Sequence, residues 1–154
     1  MRTRTLLFAA LASAAMMGCG TMGIQGGSAP PPTSTCKNSE VCQIVVSVSG
    51  CTVTIPADKK VIEMKGRNVV IIWKLDDAAV KAKFEFDNSA GVVLKSSTPD
   101  PDNKQFFGQM AINNKTGYIW IDRNSDYKVY EYGIDLIDTV NNRHCKLDPL
   151  FYNN

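Results

Sequence analysis

The side chain with the clearest capacity for acid–base chemistry is the single histidine, His144. Its imidazole could act as a general base toward a serine or thiol nucleophile. The sequence places no serine or free thiol to serve as that nucleophile, so we expect no enzyme activity. A hydrolase or redox enzyme is the alternative, and it predicts loss of activity in His144→Ala.

Cysteines offer a second kind of chemistry, and besides Cys19 there are four: Cys36, Cys42, Cys51 and Cys145. An even set in a small exported domain predicts two disulfides, with three possible connectivities. We expect Cys36–Cys42 to close a short turn. We expect Cys51–Cys145 to join an early strand to the last segment. The alternative is a metal site built from cysteine and His144, which the lack of a Cys-x-x-Cys pair disfavours.

Carboxylates could supply a third chemistry, calcium binding, at Asp76-Asp77 and at Asp100-Pro101-Asp102. Calcium takes six to eight oxygen ligands, and neither pair has the spacing of a known calcium loop. We interpret both as solvated turn carboxylates and expect no cofactor.

Aromatic side chains could line a carbohydrate- or peptide-binding face, and the candidates are Tyr118, Trp120, Tyr127, Tyr130 and Tyr132. Alternate residues of a strand point to opposite faces, so core packing accounts for most of them. The first place to look for a binding face is Tyr118 and Trp120, or else their neighbours Ile119 and Ile121.

Residues 1–18 have the pattern of a secretory signal peptide. Arg2 and Arg4 precede an apolar run over 6–17. That run is shorter than the roughly 20 residues a membrane-spanning helix needs. We therefore expect the segment to direct export and then to be removed.

The end of this segment, Met16-Met17-Gly18-Cys19, resembles a bacterial lipobox. The resemblance implies cleavage before Cys19, acylation of that cysteine and attachment to the membrane through the acyl chains. Gly20 after the cysteine implies sorting to the outer membrane, facing the periplasm or the cell surface. The alternative is ordinary signal cleavage nearby, without acylation.

Residues 19–35 are mostly Gly, Pro, Ser and Thr and predict a flexible tether of about 20–24 Å. The folded domain is then 36–154. The chain has 17 basic and 15 acidic residues, and loss of Arg2 and Arg4 leaves the mature protein neutral. No basic cluster is interleaved with aromatics, so a nucleic-acid partner is not expected.

From residue 42 onward, short apolar or alternating runs are separated by turn residues. This pattern predicts an all-β, two-sheet antiparallel Greek-key sandwich of about seven to nine strands. The run 69–75 is apolar on both faces, which predicts a central strand covered at least partly on both sides. A closed barrel is the structural alternative.

The stretch 55–77, with Pro56, Gly66 and Trp73, resembles the opening of cupredoxin-like domains. The tyrosine-rich run 126–134 is similar to the penultimate strand of that fold and to the tyrosine-corner strand of immunoglobulin-like sandwiches. Together with Cys145-x-Leu147-Asp148-Pro149, it also resembles a group of small proteobacterial envelope proteins.

A copper site in a cupredoxin-like domain needs two histidines, one cysteine and usually a methionine. Residues 74–90 contain no histidine, and Gly133 stands near the place where the cysteine is expected. The resemblance therefore implies a copper-free relative. The leading hypothesis is a non-catalytic, membrane-tethered lipoprotein that binds another envelope protein or has a structural role, with an inhibitor or immunity protein as a subtype. The runner-up is a periplasmic metal-handling protein.

Overall fold

The computed structural model of the protein describes residues 29–154. These residues form twelve β-strands, one short α-helix and two single-turn 3-10 helices. The expected signal peptide, Cys19 and the tether as far as residue 28 lie outside the described residues. Within 29–154, no helix has the length and apolar character needed to cross a membrane.

One sheet has seven strands. They are β1 (Ser34–Lys37), β4 (Val61–Lys65), β6 (Phe84–Phe86), β7 (Val92–Leu94), β10 (Val129–Asp138), β11 (Arg143–Leu147) and β12 (Leu150–Asn153). Leu136 of β10 pairs with Cys145 of β11 on one side and with Phe86 of β6 on the other. The long strand β10 therefore lies at the centre, with β12 continuing beyond β11 and β7 beyond β6.

The second sheet has five strands. They are β2 (Val41–Ser49), β3 (Thr52–Thr54), β5 (Val69–Leu75), β8 (Phe106–Ile112) and β9 (Gly117–Asp122). Their spatial order is β3-β2-β5-β9-β8, so β5 is central and β8 forms one edge.

The all-β, two-sheet architecture expected from the sequence is confirmed, and two of its details differ. Both sheets are mixed, because β2 pairs with β5, β1 with β4, and β4 with β12 in parallel. Twelve strands form instead of seven to nine, since short irregularities divide longer ones. Asp148-Pro149, for example, separates β11 from β12, while the Tyr132 N–H still donates to the Pro149 carbonyl over 3.1 Å.

The core between the sheets is rich in aromatic rings. Trp73 of β5 lies 5.4 Å from Trp120 and 5.5 Å from Tyr132, ring centroid to ring centroid, and both contacts are edge-on. Tyr132 in turn stacks on Phe151 at 4.1 Å. Alternate residues of β5, β6 and β10 face this core and are buried.

Both predicted disulfides are present, Cys36–Cys42 and Cys51–Cys145. Each bridge crosses the sandwich. Cys36 lies in β1 of one sheet and Cys42 in β2 of the other. Cys145 lies in β11, and Cys51 directly precedes β3 of the opposite sheet. β1 starts at Ser34, so residues 34 and 35 of the expected tether belong to a strand.

The carboxylates considered for calcium organise local turns. Asp76 caps helix α1 (Asp77–Lys81), its Oδ1 accepting the Ala79 N–H at 2.7 Å. Asp100 precedes the 3-10 helix Pro101–Asn103 and accepts three backbone N–H groups, those of Lys104, Gln105 and Phe106. The other 3-10 helix is Ala57–Lys59.

Candidate functional site

The expectation that Tyr118 and Trp120 form an exposed binding face is wrong. Their exposed fractions are 1 % and 0 %. Tyr118 pairs across the sheet with Trp73, and Trp120 with Ile71, on the inward side of β5. Neither ring can meet a ligand at the surface, because both fill the space between the sheets.

Their neighbours Ile119 and Ile121 point to the outer side of the same sheet, where the register aligns them with other apolar residues. One row is Val41, Val70, Ile121 and Phe107, and the next row is Gln43, Ile72, Ile119 and Met110. We call the apolar members of these rows, together with Val45, the apolar face: Val41, Val45, Val70, Ile72, Phe107, Met110, Ile119 and Ile121.

The apolar face is open to solvent. Val41 is 54 % exposed, Met110 53 % and Val45 40 %, and the remaining members are half-buried. All the strands of residues 29–154 belong to the two sheets, so no third layer of strands covers it. Strand spacing and rise give dimensions of about 15 Å across the strands and about 13 Å along them. With the width of the side chains, its footprint is roughly 300 Å², the lower end of the size of the largest apolar patch on a typical monomer, which is often functional.

The outer side of the seven-stranded sheet has the opposite character. Lys146 Nζ lies 3.1 Å from Asp135 Oδ2, and Lys95 Nζ lies 2.6 Å from Asp148 Oδ1. Glu131 accepts a hydrogen bond from the Ser97 hydroxyl. We call this surface the paired-charge face. Its composition is that of an ordinary hydrated surface, so the two outer faces of one domain differ sharply in polarity.

Two cations stand at the ends of the apolar face. Lys74 occupies the outward position after Ile72 on β5, and Arg123 follows β9. The Arg123 guanidinium carbon lies 5.2 Å from the centroid of the Phe107 ring, a cation–π contact. Neither cation forms an ion pair with any residue of 29–154. The pairing of β5 with β9 places Lys74 and Arg123 six residues apart along the strand direction, which corresponds to about 20 Å.

The β8 edge of this sheet is poorly suited to strand addition, because β8 is irregular. The β8–β9 register shifts between Phe107 and Met110. Gly108 at this point has φ +68°, a conformation that favours glycine. Such a bulge twists an edge strand away from regular pairing. A partner is therefore expected to contact the apolar face rather than extend the sheet at β8.

His144 lies on the paired-charge side, away from the apolar face. Its Nδ1 is 2.8 Å from Asp135 Oδ1, so the carboxylate fixes the orientation of the ring. Within 29–154 no serine hydroxyl or thiol hydrogen-bonds to that ring, and Cys145 beside it is bridged to Cys51. Nor do the described residues contain a group of three or more histidine, cysteine or carboxylate side chains able to hold a metal ion.

A buried carboxyl, Asp122, was missed at the sequence level. It is fully buried; its Oδ1 accepts the Asn124 N–H at 2.8 Å and the Asn153 amide at 3.3 Å. Its Oδ2 has no hydrogen-bond partner. Burial, with smaller contributions from Asp126 and Asp100, raises the pKa of Asp122 to about 7. The alternation Tyr118, Trp120, Asp122 places it inward and could have revealed it.

The comparisons with known proteins add no family assignment. No family model matches the chain, and no curated protein matches it significantly. Fold and surface therefore define the class: a disulfide-bridged all-β sandwich with one apolar and one charged outer face.

Proposed function

We propose that this protein is a non-catalytic binding module of the bacterial cell envelope that docks another envelope protein on its apolar face. The observation that carries the proposal is the contrast between the two outer sheet faces. One side is apolar and solvent-exposed, whereas the other carries paired charges. The apolar face is not required to form a core, because the core of this domain already lies between the two sheets. An exposed apolar surface of this kind often marks an interaction site.

The charges around the apolar face indicate the chemistry of the partner. Lys74 and Arg123 bracket the face and lack ion-pair partners within the described residues. A complementary surface would present apolar side chains between two carboxylates about 20 Å apart. Complementary charges of this kind raise the rate of association and set the orientation of docking.

The N-terminal segment supplies the location in this proposal. Acylation at Cys19, with residues 20–33 as the tether, would hold the domain near a membrane, at the outer membrane if Gly20 directs sorting. The two disulfides are compatible with an oxidising compartment outside the cytoplasm. An intact mass of the membrane-extracted chain that equals cleavage before Cys19 plus acyl chains would support this location, and an unacylated mass would contradict it.

The docking proposal is tested on the full chain, extracted from membranes in mild detergent after chemical crosslinking. A matched pair of variants separates the two faces: Val45→Glu on the apolar face and Val93→Glu on β7. Val45 and Val93 are the same residue type and are 40 % and 39 % exposed. We expect the wild-type chain to run as a complex larger than the monomer. Val45→Glu should abolish the complex, and Val93→Glu should preserve it.

Three outcomes would contradict the proposal. One is a chain that stays monomeric under all growth conditions. Another is a product of twice the mass of the chain, which indicates self-association. The third is equal sensitivity to the two substitutions. Thermal unfolding of both variants serves as the control that neither substitution has disrupted the fold.

A further inference from the structure

Tyr127 is the most exposed large apolar side chain of residues 29–154, with 85 % of its surface accessible. It lies in the connection 123–128 between β9 and β10. Tyr118, Tyr130 and Tyr132 are buried in the core. Because the Tyr127 ring is exposed, packing in the core does not explain it. The two clefts beside Tyr127 are also separate from the apolar face, since no residue of that face lines them.

The connection that carries Tyr127 is anchored by a buried asparagine. The Asn124 Nδ2 lies 3.0–3.1 Å from the carbonyl oxygens of Met64, Gly66 and Asn154 and shares its two N–H groups among these three acceptors. Its Oδ1 accepts the Asn154 N–H at 3.0 Å. Asn124 thus ties the connection to the end of β4 and to the residue after β12.

The residues on either side of Tyr127 are also fixed. Gln105 accepts the Ser125 N–H at 3.1 Å and donates to the Ser125 hydroxyl at 2.9 Å. Asp126 accepts the Tyr130 hydroxyl at 2.7 Å. The Lys128 carbonyl accepts the Asn153 N–H at 2.8 Å. Tyr127 is therefore an exposed ring on a rigid support, and a ligand that stacks on it need not order the backbone.

Tyr127 stands between two clefts and borders both. The first is lined on its polar side by Arg67, Ser125, Asp126 and Asn154. The second adds Glu63 and Lys128, with Pro32 and Tyr152 as its apolar walls. The planar amide, carboxylate and guanidinium groups offer both donors and acceptors on the two sides of one ring.

The charges around the ring are nearly balanced, which bears on the kind of ligand. Asp126 Oδ2 lies 3.6 Å from Lys128 Nζ, and Glu63 Oε2 lies 3.1 Å from Lys65 Nζ. Hydrogen bonds from Asn154 and Lys65 hold the pKa of Glu63 below its usual range, so it stays an acceptor. Because each carboxylate is paired with a lysine, little net charge is left to attract a polyanion. A wholly apolar ligand would leave the donors and acceptors of the first cleft without partners. A neutral molecule with one apolar face and many hydroxyls fits both features.

We propose that Tyr127 and its two flanking clefts form a saccharide-binding site. The C–H face of a pyranose ring stacks on Tyr127. Its hydroxyls bond to Arg67 and Asp126 on one side and to Glu63 and Asn154 on the other. This site is separate from the apolar face, so the protein would hold a glycan and a protein partner through different surfaces.

The test is an NMR titration of the ¹⁵N-labelled full chain in mild detergent with three probes: cellotetraose, maltotetraose and chitotetraose. At least one should shift the amide signals of Tyr127, Arg67 and Asn154. Tyr127→Ala should weaken binding by at least about tenfold. Tyr127→Phe should bind as the wild type does, because stacking needs the ring and not the hydroxyl.

The control is Val140→Ala, since Val140 is 69 % exposed and lies in the β10–β11 turn. It should leave the titration unchanged. The proposal is overturned if none of the three tetrasaccharides shifts these amides, or if Tyr127→Ala retains the response. A parallel titration adds an anionic phospholipid to the same detergent micelles and follows the same amide signals. A response to the phospholipid that is lost in Tyr127→Ala, without any response to the tetrasaccharides, would assign the ring to the membrane surface instead.

Discussion

Asp122 is a carboxyl group whose burial disfavours its ionised form. It is fully buried, its hydrogen-bond partners are Asn124 and Asn153, and no cation contributes to its pKa. Asp126 and Asp100 add negative charge nearby, and one of its oxygens has no partner. A protonated carboxyl fits this environment better than a carboxylate, because the neutral form avoids the desolvation cost.

Asp122 should therefore make the stability of the fold depend on pH. A raised folded-state pKa favours folding at pH values below the ordinary aspartate pKa, about 3.9, and this contribution is lost as the pH rises through about 7. Asp122→Asn should remove that loss. We expect the variant to exceed the wild type at pH 8 by on the order of 2 kcal/mol, and to match it closely at pH 4.

Urea unfolding of both chains at pH 4, 6 and 8 measures this difference. A difference that does not change with pH would contradict the assignment. Asp138→Asn is a control of opposite sign. Hydrogen bonds from Asn141, and then from Arg143, hold the pKa of Asp138 low. This substitution should destabilise the fold at neutral pH.

At the scale of single residues, alternation in the sequence predicted inward and outward positions well. Tyr130 and Tyr132 are buried, in line with the expectation that core packing accounts for most of the aromatic candidates. It failed at Tyr118 and Trp120, since alternation fixes which residues share a face but not which face meets the core. Tertiary packing decides that, and here it places Ile119 and Ile121 outside.

At the scale of elements, helix α1 was not predicted, because five residues give no helical period. The helix is specified by its cap instead. Asp76→Ala removes the carboxylate that accepts the Ala79 N–H and should cost about 1 kcal/mol. Chemical denaturation checks this value, with Asp77→Ala as the matched control. Equal losses in the two variants would contradict the capping role.

The parallel pairing of some strands could likewise not be predicted from the sequence. β2 and β5 pair in parallel, and neither run of residues specifies the direction of the neighbouring strand. The central position of β5 was predicted from its two apolar faces and is confirmed by the strand order, whereas the cover expected on both faces is found only on the inner face among residues 29–154. The same feature produced the apolar face, because Val70 and Ile72 point away from the core and no third layer of strands covers them among the described residues.

At the scale of the whole molecule, both disulfides link one sheet to the other, but they close loops of very different length. Cys51 and Cys145 are 94 residues apart, and Cys36 and Cys42 only six. Chain entropy assigns about 4–5 kcal/mol to the long loop and about 2 kcal/mol to the short one. Replacing both cysteines of each bridge by alanine should reproduce that order in urea unfolding. A larger loss from the short bridge would contradict it.

The two faces of the sandwich give the whole molecule its proposed orientation, with a partner on the five-stranded sheet and water on the other. Site-specific photo-crosslinking in living cells tests this most directly. A photoreactive residue is placed at Met110 on the apolar face, or at Val93 on the opposite sheet. The account predicts one crosslinked partner from Met110, lost on combining Lys74→Glu with Arg123→Glu, and none from Val93. Equal crosslinking from the two positions, or a product consisting of two copies of this chain, would contradict it.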